Sequence, residues 1–374
     1  MTKNPQAKKW PRVIISGGGT GGHIFPAVAI AKGIQEKYPD AEILFVGAKG
    51  RMEMEKVPAA GFKIEGLWIS GLQRGSVFKN LLFPFKVIFS VFKALRIIKK
   101  FKPDVAIGVG GYASGALLYA ATMKKIPALI QEQNSFPGIT NKVLKDRVQK
   151  ICVAYDNMDQ FFPKEKIILT GNPVRKEITR LEGKRDRGLE KFGLNKDRKV
   201  VLVVGGSLGA RSINHAMDAD LQKFADADIQ VIWQTGKLYT EQAQKRVQEV
   251  GKKGIMTFDF IADMDLAYAA ADVVISRAGA LAVSELCLVK KPCILVPLPT
   301  AAEDHQTKNA LSLVNYHAAI LVKDSEAKTK LAEEAIALLN DKDRCEKLSR
   351  NIDKLAFSNA TETIVSEVIN LIRK

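Results

Sequence analysis

The sequence contains none of the features that mark a membrane-spanning, disulfide-bonded or metal-binding protein. No apolar run among its 374 residues approaches the roughly 18 that a spanning helix needs, and no signal-peptide core is expected near Met1. The four cysteines show no CxxC spacing, so we expect reduced thiols in a cytoplasmic protein. The DxD pairs do not follow apolar strands and no Walker lysine follows a glycine loop. Neither a metal–nucleotide site nor an NTPase is therefore predicted.

Acidic residues are scarce in the first half of the chain. The protein carries 57 basic and 40 acidic residues, and +15 of the net charge of +17 falls within residues 1–175. Such an uneven charge indicates an anionic partner for that half, which leaves nucleic acid, an anionic membrane and a phosphorylated substrate open. An apolar fraction of 47% and a charged fraction of 26% are typical of globular proteins, and the length predicts about two domains.

Short runs of Val, Ile and Leu alternate with helical stretches, which is the pattern of parallel sheets covered by helices on both faces. Two of these strands, Arg12–Ser16 and Lys199–Val204, lead into glycine-rich loops that open helices. The other predicted strands are Glu42–Val46, Asp104–Val109, Ala128–Gln131, Ile151–Ala154, Ile167–Thr170, Gln230–Gln234, Asp272–Ser276, Cys293–Pro297 and Ala319–Val322. We therefore predict two doubly wound α/β domains, residues 1–172 and 173–359, with an amphipathic helix at about 360–374 able to pack back on the first.

The loop Gly17–Gly22 joins a strand to a helix and matches the GxGxxG pattern of dinucleotide-binding folds. Such folds place an acidic residue after the second strand, but here Lys49 and Arg51 follow that strand. An NADP-dependent oxidoreductase, with these cations on the 2′-phosphate, stays open. The other interpretations are a polar or anionic ligand at the helix N-terminus and a tight turn without a ligand.

Polar residues follow several strands of the first domain, at the edge where ligands of α/β folds bind. His23 follows the first glycine loop, and the positive end of its helix should keep the ring neutral, as a general base requires. Glu132 follows another strand, and a further glycine cluster occupies residues 108–115. We predict His23 as a catalytic base and Glu132 as the next candidate. A structural role for each is the alternative.

The segment Ser276–Glu285 leads from a strand into a helix whose first amides have no partner within the helix. Such a terminus holds a diphosphate without a metal, and Arg277 is predicted to assist. Glu285 lies one turn into an otherwise apolar helix, where a lone buried carboxylate is costly unless it has partners. Vicinal ribose hydroxyls are suitable partners, and a capping or surface role is the alternative.

The segment Ser76–Lys102 combines aromatic and basic residues and contains no acidic residue. Four lysines recur every seven residues and form a stripe on a helix: Lys79, Lys86, Lys93 and Lys100. Pro84 is expected to divide the segment. This composition is typical of a helix lying in a membrane interface, and a core helix with snorkelling lysines is the alternative. Nucleic-acid binding is not predicted, because the rest of the chain offers no basic groove.

Together these motifs resemble the MurG family of glycosyltransferases. The resemblance rests on GGGTGGHIFPAVAIA, GVGGYASG, QEQNSFPGITNK, GNPVR, VVGGSLGARSIN, FIADM, SRAGALAVSE and DHQTKNA, in this order along nearly the whole chain. It implies a GT-B fold, two Rossmann-like domains facing an interdomain cleft, with no cofactor and no metal. It also implies transfer of N-acetylglucosamine from UDP-N-acetylglucosamine (UDP-GlcNAc) to undecaprenyl-pyrophosphoryl-N-acetylmuramoyl-pentapeptide. This inverting step takes place at the inner face of the cell membrane.

The resemblance also assigns residues by motif. The residues expected to contact UDP-GlcNAc are Thr20, Gly21, Gly22, Asn134, Arg175, Ser207, Ile261, Arg277, Ala280, Leu281, Ala282, Val283, Ser284, Glu285 and Gln306. Those expected on the acceptor side are Gly19, Gly110, Gly111 and Tyr112. The expected membrane face comprises Lys79, Phe83, Phe85, Lys86, Phe89, Lys93 and Lys100. Within the donor set, Ser207 is expected at the diphosphate, the Ile261 backbone at the uracil and Glu285 at the ribose.

Direct displacement then requires a base for the acceptor hydroxyl and charge stabilisation for the departing UDP. His23 and the helix N-termini are expected to supply them. Two alternatives stay open at this point: an NADP-dependent oxidoreductase and a non-enzymatic peripheral membrane module. The first would bind a reduced cofactor, and the second would not bind UDP-GlcNAc.

Overall fold

The computed structural model describes residues 11–71, 82–206 and 208–373. The chain divides into two compact units, Met1–Val174 with Asn359–Lys374 and Arg175–Ser358. The first unit therefore ends two residues after the predicted boundary, and the C-terminal segment belongs to it. Among the described residues, no helix has the length and apolarity needed to cross a membrane.

The first unit is built on a parallel sheet. Its strands are β1 (Arg12–Ser16), β2 (Glu42–Ala48), β3 (Lys63–Leu67), β4 (Val105–Gly108), β5 (Ala128–Glu132), β6 (Lys150–Val153) and β7 (Ile167–Leu169). Its helices before residue 175 are α1 (Gly21–Lys37), α2 (Glu53–Ala59), α3 (Phe83–Phe101), α4 (Tyr112–Met123) and α5 (Ile139–Leu144). The seven strands are ordered β3-β2-β1-β4-β5-β6-β7, with apolar side chains buried on both faces.

The second unit repeats this plan with six parallel strands. They are β8 (Val200–Val204), β9 (Gln230–Gln234), β10 (Ile255–Phe258), β11 (Val273–Ser276), β12 (Cys293–Leu295) and β13 (Ile320–Leu321). The helices are α6 (Arg185–Lys191), α7 (Arg211–Asp226), α8 (Thr240–Val250), α9 (Met264–Ala270), α10 (Ala280–Val289), α11 (His305–Val314), α12 (Ala327–Asn340) and α13 (Lys342–Asp353). The strand order is β10-β9-β8-β11-β12-β13.

The last helix, α14 (Ala360–Arg373), packs on α1 of the first unit. Its residues Ile364, Val365 and Val368 are buried in the same apolar cluster as α1. A Cβ on Gly33 of α1 would lie only 2.6 Å from Thr361 Cγ2, so glycine lets the two helices approach this closely. The C-terminal segment thus completes one face of the first sheet.

The strand order determines where a ligand can bind. In each sheet the chain reverses its direction of travel beside the first strand, between β1 and β4 and between β8 and β11. Open α/β sheets bind ligands beyond the carboxyl ends of the strands at such switch points. The loops after these four strands are the glycine-rich segments and the Ser276–Glu285 segment.

Two strands and the start of one helix differ from the sequence predictions. The predictions missed β3 and β10, which both lie at the edge of their sheets. Pro84 does not divide a helix within the described residues, because α3 begins at Phe83 and places Pro84 in its first turn. A missing amide hydrogen costs no helical bond there. Lys79 lies outside the described residues.

Candidate functional site

The first glycine loop is held by a buried carboxylate that the sequence predictions missed. Glu53, on α2, is fully buried and accepts hydrogen bonds from the amides of Gly19 and Ala48, each at 2.9 Å. A Cβ on Gly18 would overlap the Glu53 carboxylate, so only glycine allows this approach. One side chain therefore fixes the loop after β1 to the end of β2.

The glycine loops after β1 and β4 pack against each other. Gly110 and Gly111 have φ angles of 100° and 88°, which residues with side chains rarely adopt. A Cβ on Gly111 would lie 2.6 Å from the carbonyl oxygen of Gly18, and one on Gly110 would lie 2.8 Å from His23 Nε2. Because Gly110 and Gly111 have no side chains, both loops and the His23 ring can meet at the switch point.

The hydrogen bonding of His23 identifies the ring nitrogen that is able to accept a proton. Nδ1 lies 3.0 Å from the carbonyl oxygen of Gly18. Because a carbonyl oxygen only accepts, Nδ1 carries the proton of the neutral ring and the lone pair is on Nε2. His23 lies in the first turn of α1, which contains no acidic residue. The arrangement suits a general base acting through Nε2.

The Glu132 carboxylate is surrounded by hydrogen-bond donors of its own loop and of α5. It is buried, and its carboxylate accepts hydrogen bonds from the backbone amides of Asn134 (3.0 Å) and Gly138 (3.1 Å). The side-chain amides of Asn134 (3.3 Å) and Asn141 (2.8 Å) also donate to it. Four donors occupy the lone pairs that would receive a proton. This carboxylate organises the loop that carries Asn134, and its role as the second candidate base stays a prediction.

Tyr112, which was expected on the acceptor side, connects the second glycine loop to α3. Its ring lies edge-on to Phe83, with centroids 6.1 Å apart, and it packs close to Gly71. The residues Thr20, Gly21 and Gly22 form the N-cap and first turn of α1, where the first amides have no helical partner. The structure therefore places these three beside the His23 ring, at the end of β1.

In the second unit, α10 begins directly after the loop that follows β11. Gly279, which has no side chain to cap the helix, occupies the N-cap, and the first turn contains no acidic residue. The Ser284 hydroxyl donates back to the carbonyl of Ala280 (3.0 Å). The amides of Ala280, Leu281 and Ala282 thus form an N-terminus with the polarity that phosphate prefers.

Glu285 lies one turn further along α10, with its side chain 14% exposed. The phenol of Tyr268 on α9 donates to its Oε2 at 3.1 Å, and Arg175 Nη2 lies 3.6 Å from its Oε1. Burial raises the pKa of Glu285, and the nearby Arg175 guanidinium partly offsets this. Burial and the neighbouring carboxylate raise the pKa of Tyr268, which keeps the phenol protonated as a donor. Arg175 and Glu285, separated by 110 residues, are thus brought together.

Arg277 faces the interior rather than the start of α10. Its guanidinium donates to the carbonyl oxygens of Val296 (3.0 Å) and Pro297 (3.2 Å) and to Ser212 Oγ (2.9 Å), and it pairs with Asp324. These contacts brace the β11–α10 loop against α7. The role of Arg277 as a diphosphate contact stays a prediction.

Ile261, expected at the uracil, follows β10, and its amide donates to Gln234 Oε1 at 2.8 Å. The Gln234 Nε2 donates to the carbonyl of Gly206 at 3.0 Å, in the loop after β8. Ser207, expected at the diphosphate, lies outside the described residues. Gln234 was not singled out in the sequence, because its partners lie 28 residues before it and 27 residues after it.

Gln306 lies in the first turn of α11, and its Oε1 accepts from the amide of Leu298 (3.0 Å). Glu303 and Asp304, which precede His305, have φ angles of 56° and 52°. Left-handed conformations at non-glycine residues cost of order 1–3 kcal/mol each and cluster at ligand-binding sites. The role of Gln306 at sugar hydroxyls stays a prediction.

Aromatic residues line the outer face of α3. Phe85, Phe89 and Phe92 are 56%, 59% and 60% exposed, whereas Ala94 and Ile98 on the inner face are buried. Contiguous exposed apolar side chains on one surface are uncommon unless that surface binds something. The expected membrane residue Phe83 is half-buried beside the acceptor-side loop.

The lysine stripe of α3 is partly occupied by internal partners. Lys86 Nζ donates to Ser70 Oγ (2.9 Å), and Lys93 Nζ donates to the carbonyl of Gly66 (2.7 Å). Lys100 is exposed. The side chain of Lys86 also lies over the ring of Trp68, which is itself exposed and adds to the aromatic surface.

Comparisons with known proteins match both parts of the chain. Residues 13–153 match the family model of the glycosyltransferase family 28 N-terminal domain, and residues 200–364 match that of the C-terminal domain. A curated protein from Parabacteroides distasonis is 52% identical over 97% of this chain and 99% of its own length. One from Cytophaga hutchinsonii is 54% identical over 98% of both. Both are named UDP-N-acetylglucosamine–N-acetylmuramyl-(pentapeptide) pyrophosphoryl-undecaprenol N-acetylglucosamine transferase. This chain belongs to the MurG family.

A solved structure of MurG from Acinetobacter baumannii is 29% identical to this MurG-family chain. The match covers 96% of this chain and 99% of that one, with a TM-score of 0.78. The predicted GT-B class, with two Rossmann-like domains, is confirmed.

Membership of the MurG family makes this protein a glycosyltransferase, and both alternatives are set aside. The geometry also opposes a dinucleotide at the first glycine loop. The Glu53 carboxylate already accepts from the Gly19 amide, so a pyrophosphate there would face a buried negative charge. The described residues contain no group of three or more His, Cys, Asp or Glu side chains arranged around a metal position.

Proposed function

We propose that this MurG-family protein transfers N-acetylglucosamine from UDP-GlcNAc to the C4 hydroxyl of lipid-linked N-acetylmuramoyl-pentapeptide, converting lipid I to lipid II. The observation that carries the proposal is the placement of buried Glu285 one turn inside the open N-terminus of α10. One turn is about 5.4 Å, a spacing that a nucleotide spans between its ribose and its phosphates. The names of relatives more than 50% identical to this chain support the same transfer.

The donor is held by groups of the second unit. The diphosphate lies against the amides at the start of α10 and the loop after β8, where helix N-termini favour negative charge. Glu285 accepts hydrogen bonds from the ribose hydroxyls, and the Ile261 backbone contacts the uracil. Gln306 contacts the sugar hydroxyls.

The acceptor hydroxyl loses its proton to His23 Nε2 as its oxygen attacks the anomeric carbon. A new bond forms from that oxygen to the anomeric carbon while the bond from the anomeric carbon to the β-phosphate oxygen breaks. The electron pair leaves with UDP, and the amides at the start of α10 stabilise the developing charge. Attack on the face opposite UDP inverts the configuration. General-base assistance contributes about 10²–10⁴-fold.

We also propose that α3 attaches the protein to the inner face of the membrane that carries the acceptor. The support is its row of exposed phenylalanines, the basic excess of residues 1–175, and the contact of Phe83 with Tyr112 beside the glycine loops. Aromatic and basic side chains on one helix face favour an anionic interface.

The test is transfer itself. Purified protein with UDP-GlcNAc and a lipid-linked acceptor should release UDP and yield a product heavier by one N-acetylhexosamine, detected by mass spectrometry. UDP-N-acetylgalactosamine, which differs only at C4, serves as the control donor and should react much more slowly. Failure to transfer to any N-acetylmuramoyl acceptor, with UDP-GlcNAc binding intact, would overturn the assignment of the acceptor.

A further inference from the structure

Gln234 connects two separate parts of the second unit. It ends β9 and is 3% exposed. Its Nε2 donates to the carbonyl of Gly206 (3.0 Å), and its Oε1 accepts from the amide of Ile261 (2.8 Å). A backbone carbonyl only accepts and a backbone amide only donates, so the side chain needs one donor and one acceptor in this order.

The loop after β8 depends on this contact for its position. The Gly206 carbonyl also accepts from the amide of Gly209 (3.0 Å), which closes the turn. A Cβ on Gly209 would overlap the carbonyl of Thr235, the residue after Gln234. The loop after β8 is therefore packed on the end of β9 and bonded to it, while the same amide side chain holds Ile261 at the end of β10.

We propose that Gln234 is a positioning residue that sets the distance between the diphosphate-binding loop and the uracil-contacting backbone of Ile261. It acts through these two backbone groups without touching the donor. The inference rests on the proposed function, because it takes the Gly206 loop and Ile261 as the two ends of a bound UDP. Its loss weakens donor binding and leaves turnover at saturating donor nearly unchanged, because a misplaced nucleotide site changes ground-state and transition-state binding alike.

The substitution Gln234→Glu separates this role from a general effect on folding. A protonated carboxyl has one donor and one acceptor, so it reproduces the pattern of glutamine at low pH. Burial raises the pKa of such a carboxyl, and above that pKa it loses the donor that the Gly206 carbonyl needs. The ionised form also puts negative charge beside the proposed diphosphate site. UDP-GlcNAc itself does not change protonation over the pH range of this comparison. A pH dependence of the donor Kd, measured by calorimetric titration, therefore reports on the protein.

Gln230 offers a matched control on the same strand. It is 1% exposed, donates to the carbonyl of Asn195 and accepts from the amide of Asn195, both at 2.8 Å. Like Gln234 it donates to a backbone carbonyl and accepts from a backbone amide, with a further longer bond to the carbonyl of Arg198 (3.4 Å), but it lies at the opposite end of β9. Gln230→Glu therefore undergoes the same chemical change without affecting the Gly206 loop.

At about pH 5 we expect the donor Kd of Gln234→Glu to lie within about threefold of the wild-type value. At about pH 8 we expect that Kd to be at least about tenfold higher than the wild-type value. For Gln230→Glu, the ratio of its donor Kd to the wild-type donor Kd should stay near one at both pH values. A ratio for Gln234→Glu that does not change with pH, or changes equally in Gln230→Glu, overturns the proposal.

If Gln234→Glu unfolds at the higher pH, the neutral variant Gln234→Met decides. It removes both hydrogen bonds, and we expect the donor KM to rise about tenfold at every pH with kcat within about twofold of wild type. An unchanged KM, or a fall in kcat equal to the fall in kcat/KM, overturns the proposal. Wild-type protein that does not bind UDP-GlcNAc would instead refute the proposed function.

Discussion

Replacing Glu285 should have opposite effects on donor binding and on the stability of the ligand-free protein. The carboxylate is largely buried between the Tyr268 phenol and the Arg175 guanidinium, and its pKa is raised by burial. A raised pKa means that the folded state holds the proton more tightly than the unfolded state. At neutral pH, above the carboxyl pKa of the unfolded chain, this raised pKa therefore lowers the free energy of unfolding.

The expected loss of binding follows from the hydrogen bonds to the ribose. A hydrogen bond to a charged group contributes about 1.5–3 kcal/mol, and about 1.4 kcal/mol is tenfold in Kd. Glu285→Ala should therefore raise the donor Kd and KM tenfold or more. Glu285→Gln keeps an acceptor for the Tyr268 phenol but loses the charge, which supplies about half the strength of each hydrogen bond. We therefore expect the donor Kd and KM of this variant to rise about three- to tenfold.

The two measurements are calorimetric titration with UDP-GlcNAc and thermal unfolding without ligand. Glu285→Gln should bind more weakly yet have a higher Tm at neutral pH, and the gain in Tm should disappear as the pH falls below the carboxyl pKa of the unfolded chain. Glu334→Gln is the control, because Glu334 forms a half-buried pair with Arg344 in the same unit (2.6 Å) and should lose stability without losing donor affinity. Donor affinity of Glu285→Ala within twofold of wild type would remove this residue from the ribose site. A lower Tm for Glu285→Gln would refute the argument from burial.

Three further predictions concern the base, the membrane surface and the partner of Glu285. His23→Ala should lower kcat about 10²–10⁴-fold with donor Kd within twofold, whereas the same change at His317, exposed in the second unit, should leave kcat unaltered; survival of activity would place the base elsewhere. Phe89→Ser with Phe92→Ser should reduce binding to vesicles containing anionic lipid about tenfold or more in flotation assays. It should not change activity on a soluble acceptor analogue, and unaltered flotation would show that α3 is not the membrane surface. Tyr268→Phe should raise the donor KM about two- to tenfold with little change in kcat, because Glu285 loses its 3.1 Å hydrogen bond; an unchanged KM would mean that Arg175 alone orients the carboxylate.

Composition and periodicity were enough to predict the central strands, because these are buried on both faces and are rich in Val, Ile and Leu. The strands Arg12–Ser16 and Gln230–Gln234 were predicted with their observed bounds. The two missed strands, β3 and β10, have half-exposed side chains because each has a neighbour on one side only. An edge position tolerates Lys63 and Glu65 in β3, so β3 lacks the apolar run that identifies a central strand.

The site was predictable where a short motif contains the whole arrangement and not where long-range contacts complete it. The first turn of α10 and the helix start at His23 could be located from glycines and strand ends alone. The direction of a polar side chain at a strand end could not, because it depends on what lies opposite. Arg277 turns inward because Asp324, 47 residues later, offers it a half-buried carboxylate, and Glu132 turns inward because Asn141 and the loop amides surround it. A buried charge is stable only with partners, so the residue that finds protein partners braces the site. Glu285, with a phenol on one oxygen and a half-exposed guanidinium near the other, keeps hydrogen-bonding capacity that a ribose can use.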